Sequence, residues 1–434
     1  MIPTALRPRL PRPGGVAGYF DPVSASLDVW GGQKTGGSPV MPNTRFPIAS
    51  LTKTFTAHLL LEVLRETNLS LQTPIAHILP GFALADPAAS CGMTLEDALC
   101  HYSGLPPHTW AWVYSDVDRK TFIHQRLPHL QPLEPHRQAH RYSNILYAVL
   151  GYVVEILTDK TWEQNVQERI LTPLGMTQTG FLTESWAADS DGLAQPHNLF
   201  GKPIPFFYAK TNHLIAPASE MISTADDLVR WGQYLLTLPP NDDRWRARNT
   251  VPGKRPLNGM GALNYGLGWR IERLQGELRV WHSGQCSGYS SLFVLYPERK
   301  QGGVYLSNAS GVVTALQVLD LESRTRLKCV DQLSFPKHPP ERPKKKAASG
   351  IRLPEGHFLN PGYGTLTVEL QEEIPYLTYQ CAPKVPALLS TDGTLWFRPP
   401  GYTQDIRMTC GTDEIHLHFE SELCPTDFRR QLQA

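Results

Sequence analysis

Hydrophobic positions recur around most of the circumference of residues 51–66, a pattern typical of a helix buried in a protein interior. Residues 145–158 have the same character and predict a second buried helix. Residues 163–171 predict a more polar helix, and residues 223–236 predict an amphipathic one. A further helix is predicted near residues 312–328. The middle of the chain is therefore expected to be largely helical.

Shorter β-prone runs, broken by Gly and Pro, lie on both sides of this helical region. Residues 16–32 predict a hairpin around an Asp-Pro turn, and residues 263–308 predict several further strands. Because strands flank the helices, we expect an α+β domain with an antiparallel sheet. The first strands of that sheet are expected to come from the N-terminal end of the chain.

The C-terminal part of the chain has a different pattern. Residues 334–350 are rich in Pro and Lys and predict an extended linker in which the lysine run 344–346 is solvated. Residues 351–434 contain short alternating strands at regular spacing, which predict an all-β barrel or sandwich. The expected organisation is therefore a first domain over 1–333, a linker over 334–350 and an all-β domain over 351–434.

The composition excludes several classes of partner. The 434 residues carry a net charge of +1, which argues against nucleic acid or an anionic membrane as a partner. No run approaches the roughly 20 apolar residues that span a bilayer. The seven cysteines are scattered and form no metal-binding pattern, and no glycine-rich phosphate loop is present. We therefore expect a cytoplasmic protein that uses no metal or other cofactor.

The first candidate for chemistry is the stretch "SLTK" at the head of the buried helix. Ser50 and Lys53 lie three residues apart and therefore share one helix face. A serine hydroxyl needs a nearby base to become a nucleophile, and a desolvated lysine can be that base. A surface Ser-Lys pair would match the spacing by chance, but a lysine inside a buried helix requires a reason.

Two further triplets carry polar groups next to predicted core elements. Tyr142-Ser143-Asn144 precedes the second buried helix, so a phenol can relay protons and an amide can hold a lysine or a substrate carbonyl. His282-Ser283-Gly284 lies on a predicted strand, where Gly284 permits close backbone approach. The N–H groups of Gln285 and Ser50 are then candidate oxyanion donors. Taken singly, each triplet also matches ordinary capping or core residues.

Together, the order and contexts of the three motifs resemble the serine β-lactamase and penicillin-binding-protein superfamily. The resemblance is to its class C-like branch, which includes DD-peptidases, esterases, D-aminopeptidases and acyltransferases. The Ser-x-x-Lys box corresponds to residues 50–53, the Tyr-x-Asn box to 142–144 and the third box, often Lys-Thr-Gly, to 282–284. The resemblance covers about residues 15–330 and implies a β-lactamase/DD-peptidase-like sheet with flanking helices and a helical subdomain. The C-terminal strands look like the lipocalin-like barrel of some relatives.

This resemblance implies acyl transfer through an acyl-Ser50 intermediate, with Lys53 and Tyr142 sharing the proton. Asn144, His282, Ser283, Gly284 and Gln285 would then hold the substrate or its oxyanion. Two departures from the family pattern are present. His282 replaces the lysine that helps to hold a substrate carboxylate, which argues against β-lactamase activity. Residues 216–221, "APASEM", lack the paired glycines common at this place.

The substrate is less well defined by the sequence. Two aromatic stretches near the motifs predict either an apolar pocket or ordinary core anchors, and their candidates are Trp110, Trp112, Phe206 and Phe207. We expect a small ester, thioester or amide as substrate, in secondary metabolism. Hydrolysis and transfer to an alcohol or amine remain open, as does the oligomeric state. A D-aminopeptidase or amidase is one alternative, and a catalytically inactive binding or assembly module is another.

Overall fold

The computed structural model describes residues 13–182, 192–198, 201–205, 212–250, 263–274, 276–309, 345–351, 353–399, 405–419 and 424–431. The α-helices in these ranges are α1 (Thr52–Arg65), α2 (Ile75–Ile78), α3 (Pro87–Gly92), α4 (Leu95–Leu99), α5 (Thr109–Trp112), α6 (Arg119–Thr121), α7 (Asn144–Thr158), α8 (Trp162–Val166), α9 (Ala216–Ser219) and α10 (Ala225–Leu235).

The strands of the first part are β1 (Gly15–Phe20), β2 (Ala25–Gly31), β3 (Phe46–Pro47), β4 (Gly180–Phe181), β5 (Met221–Ser223), β6 (Asn249–Thr250), β7 (Asn264–Tyr265), β8 (Arg270–Leu274), β9 (Glu277–Cys286), β10 (Tyr289–Tyr296) and β11 (Gln301–Ser307). The strands of the C-terminal part are β12 (Lys345–Ala347), β13 (Gly356–Asn360), β14 (Gly364–Gln371), β15 (Ile374–Tyr379), β16 (Val385–Pro386), β17 (Leu388–Ser390), β18 (Leu395–Phe397), β19 (Ile406–Cys410), β20 (Glu414–His418) and β21 (Thr426–Arg430).

The first domain is built on an eight-stranded antiparallel sheet with the order β2-β1-β11-β10-β9-β8-β7-β6. The N-terminal hairpin pairs with β11, so strands from the two ends of the domain lie side by side in one sheet. This arrangement confirms the α+β prediction. A separate three-stranded sheet, β3-β5-β4, links the segment before α1 to the segment before α10.

Helices α1 and α7 form the centre of the helical layer. Both are buried over most of their length because apolar side chains surround them, as the hydrophobic pattern predicted. The predicted helix over 163–171 is instead α8 followed by a π-helical turn at Gln167–Leu171. The predicted helix near 312–328 lies outside the described residues.

The C-terminal domain is a ten-stranded antiparallel sheet that curls into a near-barrel of lipocalin type. Alternate side chains fill its interior because a strand directs successive residues to opposite faces. The last residues of the predicted linker belong to this sheet, since β12 pairs with β17. Lys345 is consequently not solvated. Its ammonium group lies 2.7 Å from an Asp405 carboxylate oxygen and 3.6 Å from the centre of the Trp396 ring.

The barrel docks against the helical layer around α5. Trp110 is 2% exposed and stacks on Phe419 of the barrel at 5.8 Å, and the backbone carbonyl of Trp110 accepts a hydrogen bond from the Tyr379 hydroxyl. Trp112 is also buried. The two tryptophans are therefore core and interface residues rather than pocket residues. Phe206 and Phe207 lie outside the described residues.

A buried polar cluster completes this contact. The Gln380 side chain accepts a hydrogen bond from Arg126 at 2.5 Å and donates to the carbonyls of Trp110 and Val113. His108 contributes a second link, because its Nδ1 lies 2.7 Å from the Tyr363 hydroxyl. Buried polar groups require partners, so this cluster specifies one docked arrangement of the barrel.

Replacing Gln380 by glycine tests this interface. Glycine accepts the positive φ of 51° at this position, so the change removes the side-chain bonds without straining the backbone. We expect a loss of about 2–3 kcal/mol in the free energy of unfolding, measured by chemical denaturation, because Arg126 loses a buried partner. The exposed Gln371→Gly variant is the control for losing a glutamine. A loss no larger than that of the control would contradict the assigned role of the cluster.

Candidate active site

Ser50 lies in a 3-10 turn, Ala49–Leu51, that leads directly into α1. This turn packs against the sheet because the Ser291 hydroxyl donates to the Ile48 carbonyl at 2.7 Å. A Cβ atom added to Gly284 would lie 2.0 Å from the same carbonyl oxygen. Glycine at this position is therefore what allows β9 to approach the turn that carries Ser50.

Lys53 is completely buried one helical turn after Ser50. Its Nζ lies 3.2 Å from Ser50 Oγ, 2.7 Å from Asn144 Oδ1 and 2.8 Å from the Ala218 carbonyl oxygen. The amide and carbonyl oxygens can only accept hydrogen bonds. A neutral amine donates its two protons to them, which leaves its lone pair for the Ser50 hydroxyl.

The surroundings of Lys53 favour this neutral form. Within the described residues, no carboxylate forms an ion pair with its amine. Burial lowers the pKa of Lys53 well below its ordinary value of 10.5, and the positive charge of Arg270 lowers it further. The arrangement is that of a general base next to a hydroxyl nucleophile.

Tyr142 completes the group from the loop before α7. Its hydroxyl is hydrogen-bonded to Ser50, and Lys53 Nζ lies 4.7 Å from the centre of its ring. Burial raises the pKa of Tyr142 to about 12, although the Ser50 hydrogen bond and the Arg270 charge act in the opposite direction. Tyr142 is therefore a neutral phenol near pH 7 and can donate a proton. The structure thus brings Ser50, Lys53, Tyr142 and Asn144 together.

His282 occupies the third motif but lies behind the wall of the site, at 1% exposure. Its Nδ1 lies 2.7 Å from the Ser283 carbonyl oxygen, and its Nε2 lies 3.0 Å from the Tyr265 hydroxyl. Nδ1 must donate to the carbonyl, so Nε2 accepts from the tyrosine. Burial, followed by the charge of Arg270, holds the pKa of His282 well below its ordinary value. Both ring nitrogens are thus engaged within the protein, and the ring is neutral.

The end of β9 presents a backbone donor instead. Cys286 and Tyr289 close a two-residue hairpin, and Gln285 faces Ser290 in the next pair. Hydrogen-bonded and non-hydrogen-bonded pairs alternate along an antiparallel ladder, so the N–H of Gln285 is directed away from β10. Strand β8 pairs with β9 only as far as Trp281. The Gln285 N–H is thus directed to an edge that β8 leaves uncovered, as an oxyanion donor must be.

Several residues of the site carried no recognisable sequence signal. The Tyr265 ring lies among His101, His140 and Tyr142, with ring centres 4.8, 5.2 and 6.4 Å away. Tyr265 stood within an ordinary predicted strand, and no residue pattern separated it from core aromatics. His101 was one of several dispersed histidines. The turn between β7 and β8 brings Tyr265 close to β9, where its hydroxyl lies 3.0 Å from His282 Nε2.

Arg270 is the second residue that sequence reasoning missed. Arg270 lies on β8, next to the strand that carries Trp281 and His282. Its guanidinium carbon is 5.1 Å from the centre of the Trp281 ring. Its Nε is buried without a hydrogen-bond partner, and no acidic side chain of the described residues forms an ion pair with it. Its charge influences the pKa of Lys53, Tyr142 and His282. The site is therefore electropositive.

The described ranges contain neither a metal-binding cluster nor a membrane-spanning helix. No group of three or more His, Cys, Asp or Glu side chains there has a metal-binding arrangement. No helix in those ranges is long and apolar enough to span a bilayer.

Comparisons with known sequences point to one family. A family model described as Beta-lactamase matches residues 5–322. The unguisins hydrolase ungD' of Aspergillus campestris is 27% identical over 380 residues, which cover 77% of this chain and 70% of that protein. Protein flp of Staphylococcus aureus is 25% identical over 280 residues, which cover 62% of this chain and 53% of that protein. The chain thus spans about half the length of protein flp.

Solved structures share the fold. The octameric penicillin-binding protein homologue from Pyrococcus abyssi has a TM-score of 0.60 at 20% identity, covering 98% of this chain and 97% of that one. A D-stereospecific amidohydrolase from Streptomyces sp. has a TM-score of 0.59 at 23% identity, covering 74% and 98%. A class C beta-lactamase has a TM-score of 0.59 at 19% identity, covering 72% and 92%. Because the family model spans more than half of the chain, this protein belongs to the beta-lactamase family and is a serine hydrolase of that family.

Proposed function

We propose that the protein hydrolyses a small ester, thioester or amide through an acyl-Ser50 intermediate. The observation that carries this proposal is the bonding of Lys53. Two of its three partners are obligate acceptors, and the third is the Ser50 hydroxyl. This geometry also argues against an inactive binding module, since such a module has no use for an uncompensated buried amine.

Acylation begins when the Lys53 lone pair takes the proton of the Ser50 hydroxyl. The Ser50 oxygen forms a bond to the substrate carbonyl carbon, and the carbonyl oxygen becomes an oxyanion. The N–H groups of Ser50 and Gln285 hold this oxyanion, an effect worth about 2.7–4 kcal/mol for one donor.

The bond to the leaving group then breaks, and Tyr142 gives its proton to the departing oxygen, sulfur or nitrogen. The proton on Lys53 restores the phenol of Tyr142. In deacylation, water attacks the ester carbon of acyl-Ser50 and the same groups act in reverse. Attack by an alcohol or amine instead of water would give acyl transfer, which is the second outcome that this site can support.

We further propose that Arg270 binds an anionic group of the substrate. The third motif of this chain supplies no cation, because His282 is neutral and both its nitrogens are engaged. A partly buried guanidinium without an ionic partner costs free energy until an anion joins it. A substrate carboxylate near the scissile carbonyl would be that partner.

An amide substrate, as in a D-aminopeptidase or amidase, remains the main alternative to an ester. The names of similar proteins, unguisins hydrolase and D-stereospecific amidohydrolase, support the inclusion of amides. The cytoplasmic location and the role in secondary metabolism stay predictions.

The Ser50→Ala variant tests the nucleophile directly. We expect intact-mass measurements to show one acyl adduct on the wild-type protein after mixing with an activated ester, and none on this variant. The variant with the exposed Ser26→Ala change should form the adduct normally. An unchanged adduct on Ser50→Ala would remove Ser50 from its proposed role.

The state of Lys53 predicts a particular pH dependence. Because the base must be neutral, kcat/KM should fall as the pH drops through the lowered pKa of Lys53, well below pH 10.5. It should stay level at higher pH until Tyr142 ionises near its pKa of about 12. The pH–rate profile of ester hydrolysis measures both limits, and Lys53→Arg, which stays protonated, should be inactive. An acid limb at or above pH 10.5 would contradict this assignment.

The Arg270→Gln variant tests the proposed anion site with two matched phenyl esters, one of which carries a carboxylate. We expect kcat/KM for the anionic ester to fall by about 10–100-fold, and that for the neutral ester to change little. The acid limb of the pH–rate profile should also move to higher pH, since removing this cation raises the pKa of Lys53. Arg273→Gln, which changes an exposed residue near the end of β8, is the control. Equal losses for both esters would show that Arg270 does not recognise an anion.

A further inference from the structure

His101 follows α4 and lies at the back of the site, where it is completely buried. It has a positive φ of 61°, a left-handed conformation that costs free energy for any residue with a Cβ. The surrounding contacts must therefore hold it in place. The mechanism proposed above does not use this residue.

His101 bonds to the chain on both sides of Tyr142. Its carbonyl oxygen accepts from the Arg141 N–H at 2.8 Å, and its Nδ1 accepts from the Ser143 N–H at 3.1 Å. Its ring lies against Tyr142, with the two ring centres 4.4 Å apart. One residue thus fixes the backbone before Tyr142, the backbone after it and one face of its ring.

The second bond requires a neutral imidazole with its proton on Nε2, since an imidazolium has no lone pair to accept the Ser143 N–H. Burial holds the pKa of His101 well below its ordinary value, and the charge of Arg270 acts in the same direction, which agrees with that form. Its Nε2 finds no hydrogen-bond partner among the residues that the structure describes. The unpaired Nε2 proton costs free energy, and the hydrogen bond that Nδ1 accepts from Ser143 offsets this cost.

The same segment also leads to Asn144, which begins α7 and receives a hydrogen bond from Lys53. Ser143 stands at the N-cap position of α7, yet its hydroxyl makes no capping bond. The placement of both Tyr142 and Asn144 therefore depends on support from elsewhere. The Ser143 N–H bond to His101 is that support.

We infer that His101 is a positioning residue that holds the Tyr142 hydroxyl at Ser50 during proton transfer. This inference rests on the proposed acyl-enzyme function. It predicts that His101 acts through Tyr142 and not through the general stability of the fold.

Two variants separate the imidazole acceptor from the unusual backbone. Both Asn and Gly tolerate a positive φ, but only Asn carries an acceptor at the position of Nδ1. We expect His101→Gly to slow acylation by an activated ester about 100-fold, as a displaced catalytic group would, and His101→Asn to keep most of the rate. Added imidazole should partly restore the His101→Gly rate. His58→Asn, which removes a buried imidazole elsewhere, should leave the acylation rate unchanged.

A double-mutant cycle with Tyr142→Phe tests the route of the effect. If His101 acts through Tyr142, adding His101→Gly to Tyr142→Phe should cause little further loss. Additive losses, a normal rate in His101→Gly, or equal losses in the Gly and Asn variants would each overturn the inference. Should His101→Gly fail to fold, His101→Asn carries the test, and a loss of about 100-fold in the acylation rate of that folded variant would also overturn the inference. Failure of the wild-type protein to acylate Ser50 would instead contradict the proposed function itself.

Discussion

The structure depends on a buried lysine that forms no ion pair within the described part of the chain. Placing an ammonium group in a protein interior without a carboxylate is costly, and the group avoids this cost by giving up its proton. Lys53 meets this condition because it is fully buried, bonds only to oxygen atoms of neutral groups and feels the charge of Arg270. The same burial that lowers the pKa of Lys53 favours its unprotonated amine, which can act as a base.

Close backbone contacts between helices and sheet keep Lys53 buried. Helix α1 carries Ser50 and Lys53, helix α7 begins at Asn144, and the turn of α9 supplies the Ala218 carbonyl. The sheet closes the site from the other side because Gly284 lets β9 approach the Ile48 carbonyl. The neutral His282–Tyr265 pair fills the space behind this strand without adding a charge. The oxygen atoms that bond to Lys53 thus belong to neutral groups, and no carboxylate of the described residues forms an ion pair with its amine.

The hydrophobic pattern predicted the elements that form the centre of the molecule, because long apolar stretches such as those of α1 and α7 leave few alternatives. The spacing of Ser50 and Lys53 also followed from helix geometry. The direction of the His282 side chain could not be predicted, since alternation along a strand does not say which face reaches the site. The roles of Arg270 and of the candidate pocket residue Trp110 could not be predicted for a related reason. Their roles arise from contacts with distant segments, the neighbouring strand in one case and the barrel in the other.

The charge of Lys53 decides whether its amine can act as the base for Ser50. This charge can be observed without any substrate. NMR of protein with labelled lysine side chains reports the protonation of each amine, and Lys53→Arg identifies the signal by its loss. We expect the Lys53 amine to acquire its proton only at a pH well below 10.5. An ammonium signal that persists up to the ordinary pKa of lysine would contradict this expectation.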